Sequence, residues 1–189
     1  MDDLKRLIRQ EGKYAVPERE LDLLLENMEE SLIPPKTHVI EAGKINSNVY
    51  LIKEGILRMT YLYDDREITY GFGDPGSFFL SPHSFYMNRP AFMQVDTCKC
   101  GAVVLHMTRE KFYELMKLSH EFSQWMFDIA IYQIFGCEMK LSLINGTAKE
   151  RYVSLIRNRP EILKHISKKM IASYLDVSPE YLSRIGADL

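Results

Sequence analysis

Cysteine is scarce in this chain. Its 189 residues include three, Cys98, Cys100 and Cys137, and an odd number completes no disulfide framework of the kind that staples small secreted domains. The Cys98-x-Cys100 pair lacks a second ligand pair at zinc-site spacing, so both read as ordinary strand cysteines. Long apolar runs are missing too. No stretch approaches the roughly 20 apolar residues that span a bilayer, and the charged N-terminus has no signal-peptide core. A cytoplasmic location and no membrane partner are therefore expected. His38, His83 and His106 stand apart with no His-x-His pair. A metal-binding cupin would need one, so no metal site, catalytic residue, cofactor or enzymatic activity is expected. Internal repeats and low-complexity tracts are absent as well.

What the chain does have is a division of charge. Residues 1–146 carry 16 Lys and Arg against 21 Asp and Glu, while residues 147–189 carry 8 against 5. The acidic part has no reason to attract phosphate. The basic end does, because cationic side chains displace the counterions condensed on DNA.

Hydrophobic spacing divides the chain the same way. Leu4, Leu7 and Ile8, then Leu21, Leu24 and Leu25, mark helices in the first 30 residues, with Pro17 as a start signal between them. From Ile33 to Thr108, short β-rich runs cover 37–43, 48–55, 56–65, 67–76, 93–101 and 102–107. Gly43, Gly55, Gly71, Gly73, Gly76 and Gly101 punctuate them, and Asp64-Asp65 reads as a hairpin turn. The spacing predicts an antiparallel β-roll or jelly roll.

Beyond Thr108, an N-cap for a helix over 109–118, the pattern is helical. A long helix is expected from about His120 to Leu143. Phe122, Trp125, Ile129, Tyr132, Gly136, Met139 and Leu143 follow a 3-4 spacing, the seam of a coiled coil. Met126, Ile134, Phe135 and Leu141 lie off it. The expected arrangement puts the seam on a second subunit and another face on the β-roll; a helix buried within one monomer is the alternative. Asn145-Gly146 forms a hinge. Thr147 and Glu150 then make a capping box, and Pro160 stops the helix that follows.

The end of the chain predicts two short helices. Ser167 caps the first, over about 168–175, with Ile171, Ala172 and Leu175 on its apolar face. Ser178 caps the second, over 179–187, with Pro179 at its first position and Leu182 and Ile185 inward. Asp176-Val177 turns the chain between them. This is helix-turn-helix patterning. Pro179, Glu180, Ser183 and Arg184 face outward: Arg bonds guanine twice, Glu accepts from cytosine, and Ser reaches bases or phosphate. Ser178, Lys168 and Lys169 suit the phosphate backbone.

Three stretches carry a family resemblance: the β-roll with Gly43, Gly55 and the 73–79 run, the long helix continuing through 137–152, and residues 171–185. On these the chain resembles the Crp–Fnr superfamily of bacterial transcription regulators over nearly its whole length. The last stretch is especially similar to regulators of anaerobic bacteria. The resemblance implies an α+β fold: an N-terminal cyclic-nucleotide-binding-like β-roll (1–119), a long dimerisation helix (120–145), and a C-terminal helix-turn-helix domain (146–189) of the winged-helix type, truncated at its end. It also implies DNA, a second copy of the chain and RNA polymerase as partners, with Pro179, Glu180 and Arg184 at base-reading positions.

Three departures matter. Nucleotide-binding members carry a Gly-Glu pair and then an Arg followed by a small hydroxyl residue. Here Leu80-Ser81 and Arg89-Pro90 stand there, so control by cyclic AMP in the family manner is not expected. No cysteine precedes Cys98, which argues against an N-terminal iron–sulfur cluster. Gly186 and Asp188 stand where relatives continue with basic residues, weakening the helix and its phosphate contacts. Phe78, Phe79, Phe85, Tyr86, Phe92 and Met93 either fill the core or line an effector pocket with Ser81, His83, Arg89 and Gln94 as polar anchors. A small carboxylate or aromatic acid fits such anchors, though the effector is not identified. An effector-binding dimer with weak or lost DNA binding is the alternative function.

Overall fold

The computed structural model describes residues 2–64, 66–144 and 146–187, without the side chains of residues 142–144 and 161. The expectations for Asp65, Asn145, Asp188 and the side chain of Leu143 therefore lie outside the described residues. Two helices open the chain, α1 (Asp2–Ile8) and α2 (Glu18–Glu26). The sheet follows with β1 (Glu29–Ile33), β2 (His38–Ile40), β3 (Asn48–Tyr63), β4 (Arg66–Gly73), β5 (Phe78–Phe79), the short helix α3 (Pro82–Met87) and β6 (Met93–Thr108). The rest is helical: α4 (Arg109–Leu118), α5 (His120–Ile144), α6 (Ala148–Asn158), α7 (Pro160–His165), α8 (Lys168–Tyr174) and α9 (Pro179–Ala187).

All strand pairs are antiparallel, in the order β1-β6-β3-β4, with β2 on β6 and β5 on β3. Four of the sequence-predicted runs form only two strands. Gly55 and Gly101 lie within β3 and β6 at φ 89° and 71°. The β3–β6 register shifts on either side of Gly55. A Cβ on Gly55 would stand 2.5 Å from the Gly101 carbonyl oxygen, and one on Gly101 2.6 Å from that of Ile33. These glycines bend continuous strands at the corner of the roll rather than ending them.

Inside the roll, Ile40, Ile52, Leu57, Val95 and Val104 are fully buried. A second core joins α1, α2, α4 and the start of α5 to the sheet. Glu20 fastens it, accepting 2.9 Å from Ser119 Oγ, which itself accepts the Phe122 amide at 3.1 Å and so caps α5. Asp128 takes the amides of Lys13 and Tyr14, at 2.8 and 2.9 Å, and ties the α1–α2 loop to the same helix.

A third core spans the roll and the C-terminal helices. Ile56, Phe72 and Cys98 pack with Leu155, Ile162, Ile166, Ile171 and Leu175. Here α8 lies on β4, an edge strand whose free backbone groups need partners. Ser173 Oγ accepts from the Thr69 amide and hydroxyl, both at 3.0 Å, and donates to the Glu67 carbonyl at 3.2 Å. Arg159 donates to the Phe72 carbonyl at 2.9 Å. Pro160, expected only to stop α6, is also the first residue of α7. No helix among the described residues is long and apolar enough to cross a membrane.

Candidate nucleic-acid interface

Local chemistry fixes both helices of the C-terminal pair. Ser167 Oγ accepts the Met170 amide at 3.2 Å and starts α8. The chain then turns through Asp176 at φ 53°, a left-handed conformation Asp tolerates. The Val177 amide bonds back to the Ala172 carbonyl at 3.0 Å. Ser178 Oγ accepts the Tyr181 amide at 3.1 Å and starts α9. Ile171, Ala172, Leu175, Leu182 and Ile185 are all buried. Ala172 is 1% exposed, so a larger side chain there would have to displace its neighbours.

The opposite face is open. Lys168, Lys169, Ser178, Pro179, Glu180, Ser183 and Arg184 are all exposed. Glu180's own amide and the Ser178 hydroxyl hold its carboxyl below the usual carboxylate range. Ser183 Oγ donates to the Pro179 carbonyl at 2.9 Å. Arg184 lies over the Tyr181 ring, 5.3 Å from its centroid. Sequence reading passed over Tyr181; its place three residues before Arg184 was the available signal. Among the described residues no strand follows α9.

Gly186 is exposed, and a Cβ there would meet only the Tyr152 ring, at an ordinary 3.6 Å. Gly186→Ala is therefore expected to stabilise the fold by about 0.5 kcal/mol, below the full mid-helix value because it sits in the last turn. Thermal denaturation of the two proteins checks this.

The long helix divides its expected seam. Phe122, Trp125 and Ile129 are buried in the chain's own core and present nothing to a second subunit. Tyr132, Gly136 and Met139 are exposed. So are Phe127, Ile131, Ile134, Phe135 and Leu141, which the sequence reading placed off the seam or did not single out. The reason is that α1, α2 and α4 already cover the first half of α5, whereas residues 130–139 project beyond them.

Of the expected effector anchors, only Ser81 and His83 line a common crevice. Phe79 is buried and stacked on Tyr50 at 4.8 Å. Gln94 donates to Asp96 at 2.9 Å. Ser81 is spent on capping α3, accepting from the Ser84 amide at 3.3 Å. Arg89 is exposed. His83 stacks on Phe92 at 3.9 Å and donates through Nδ1 to the Pro90 carbonyl at 2.7 Å. A surface crevice of about 470 Å3 lies here, lined by Tyr61, Ser81, His83, Tyr86, Phe92 and Met93 among others, and neither Arg89, Gln94 nor Phe79 lines it. Cys98 is buried, which pushes its thiol up; Cys100 and Cys137 are exposed. Among the described residues no three His, Cys, Asp or Glu stand close enough to hold a metal ion.

Comparison with known proteins places this architecture. Residues 31–119 match the cyclic nucleotide-binding domain family. No curated protein matches the chain. Among solved structures, the c-di-GMP-responsive global regulator CLP of Xanthomonas campestris is similar at 16% identity and a TM-score of 0.72, over 91% of each chain. FixK2 of Bradyrhizobium japonicum shares 17% identity over 86% of this chain and 84% of its own, with a TM-score of 0.74. The catabolite activator protein of Thermus thermophilus shares 17% over 97% and 86%, with a TM-score of 0.60. At these identities the likeness is one of fold, and it runs through the β-roll and the C-terminal helices alike. The chain thus matches the cyclic nucleotide-binding domain family over residues 31–119 and shares the fold of these regulators, the fold that its sequence resemblance implies.

Proposed function

We propose that the chain is a dimeric DNA-binding transcription regulator of the Crp–Fnr type that reads a palindromic site through α9. The observation that carries this is the sidedness of the C-terminal pair. Ile171, Ala172, Leu175, Leu182 and Ile185 lock α8 to α9 and their surroundings, while every side chain suited to bases or phosphate stays exposed. The exposed stripe of α5, with Phe127, Ile131 and Ile134 at 4-3 spacing, supports a two-fold partner helix. Two copies of α9 then suit two half-sites.

Control by cyclic AMP in the family manner is not part of this reading. A cyclic phosphate needs a cation and donors converging on it. Leu80 and Ser81 stand at the family's Gly-Glu position, Ser81 is committed to α3, and Arg89 lies away from the crevice. The crevice suits an apolar ligand better than an anion.

A gel-shift titration against the protein's own upstream DNA at increasing salt tests the reading. Binding is expected to fall linearly on a log–log salt plot, and Arg184→Ala to lower specific affinity about tenfold per half-site. No shift at low salt with any promoter fragment would favour an effector-binding dimer without DNA binding.

A further inference from the structure

We propose that Tyr181 and Arg184 act as one reading unit, taking a thymine beside a guanine in the major groove. This rests on the DNA-binding reading above and narrows it. The two residues are three apart on α9 and so are neighbours on one face. Tyr181 is 42% exposed, whereas the aliphatic Ile171, Leu182 and Ile185 of the same helix pair are buried. Its ring supports the Arg184 guanidinium at 5.3 Å. The helix's other polar side chains are engaged locally: Glu180 with its own amide and Ser178, and Ser183 with the Pro179 carbonyl. Arg184 forms no salt bridge among the described residues, so no carboxylate competes with the ring for it.

The chemistry follows from this geometry. A guanidinium stacked on an aromatic face keeps the edge of its planar fork free. That edge matches guanine O6 and N7, two acceptors side by side. Resting on the ring also limits the rotamers Arg must give up on binding, which is preorganisation. The rest of the ring is apolar and reaches the next base pair. In the major groove the apolar group available there is the thymine C5-methyl. The phenolic hydroxyl has no part in this, so phenylalanine should serve in place of tyrosine.

The test uses the full chain and duplexes selected from random sequence, with affinity read by fluorescence anisotropy. Selected half-sites are expected to contain thymine adjacent to guanine. Replacing that thymine with uracil removes only the methyl, and wild type and Tyr181→Phe should each lose about threefold in affinity. Tyr181→Ala should bind the parent duplex about tenfold more weakly and show no further loss on uracil. Its salt slope should equal that of wild type, because phosphate contacts are untouched. The inference is overturned if selected sites lack the step, if wild type is indifferent to uracil, or if Tyr181→Ala keeps the uracil penalty. The first two outcomes are read without any variant, so misfolding of Tyr181→Ala would not obscure them. Absence of salt-dependent binding by wild type to any duplex would instead overturn the DNA-binding reading itself, and this inference with it.

Discussion

Phe122→Ala is expected to lower the stability of the fold by about 3–5 kcal/mol. Phe122 is fully buried, with its ring edge-on to Trp125 at 5.8 Å and against Phe112 at 6.0 Å. Its amide also receives the Ser119 cap. Truncation would remove the aromatic contacts and leave a cavity that α1, α2 and α4 cannot collapse into without moving together. Ile134→Asp, twelve residues along the same helix, should behave differently. Ile134 is 56% exposed and belongs to none of the three buried cores. A charge there should leave the fold of one chain intact and oppose pairing of two. Thermal denaturation at two protein concentrations separates these cases. Phe122→Ala should lower the midpoint at both. Ile134→Asp should abolish its dependence on concentration, because stability gained from a partner follows mass action, and sedimentation should show a monomer. Equal, concentration-independent losses for both variants would mean that the outer stripe belongs to the fold and not to an interface.

That contrast marks where sequence spacing stopped informing. A 3-4 pattern says that residues share a face of a helix, not what covers that face. Residues 122–143 are apolar on more than one side, so the pattern fitted two stripes. Which stripe is inward depends on α1 and α2, distant in sequence, through contacts such as Glu20 with Ser119. Glycine misled for a related reason. Gly55 and Gly101 carry the signal of a turn, yet here they let one strand pass close to another's backbone. Positive φ is common to both uses. The caps, by contrast, were legible. Ser167, Thr147 and Thr108 each accept the amide that their spacing predicts, because capping is local chemistry between residues three apart. The whole α8–α9 pair was readable for the same reason. The effector anchors were not. Ser81, His83, Arg89 and Gln94 are near in sequence, but Ser81 caps α3, which was unforeseen, Gln94 bonds Asp96 along β6, and only Ser81 and His83 line one crevice.

The docking of α8 on β4 had no sequence signal at all, and it leads to the second large effect, at Lys140. This side chain enters the junction of α5, β4 and α8. Its ammonium lies over the rings of Tyr70 and Tyr174, at 4.0 and 4.9 Å, and donates to the Tyr70 carbonyl. Tyr70 in turn bonds Cys137 at 2.9 Å. No carboxylate forms a salt bridge with Lys140 among the described residues. Burial pushes its amine down from 10.5 to about 8. Below pH 8 the amine is charged both in the fold and in the unfolded chain, so the fold bears the full cost of burying the charge. Between pH 8 and 10.5 the fold releases its proton before the unfolded chain does, and stability rises with pH. A shift of this size converts to roughly 3 kcal/mol, and solvent access at the junction reduces that to about 2 kcal/mol. Lys140→Met keeps the volume and removes the charge, so it is expected to raise stability at pH 7 by about 2 kcal/mol less what the two rings return, about 0.5–1 kcal/mol. The advantage should shrink as pH climbs from 8 towards 10. Other groups also titrate there: burial raises Tyr61, Tyr70, Tyr174 and the Cys98 thiol, and their release destabilises the fold as pH rises. These act in both proteins, so the quantity to measure is the difference in urea midpoint between wild type and Lys140→Met at pH 7, 8, 9 and 10. A constant difference, or a wild type that is the more stable at pH 7, would show that the rings and the Tyr70 carbonyl compensate the buried ammonium in full. Lys140 would then be a clasp between the β-roll and the C-terminal helices rather than a weak point in their junction.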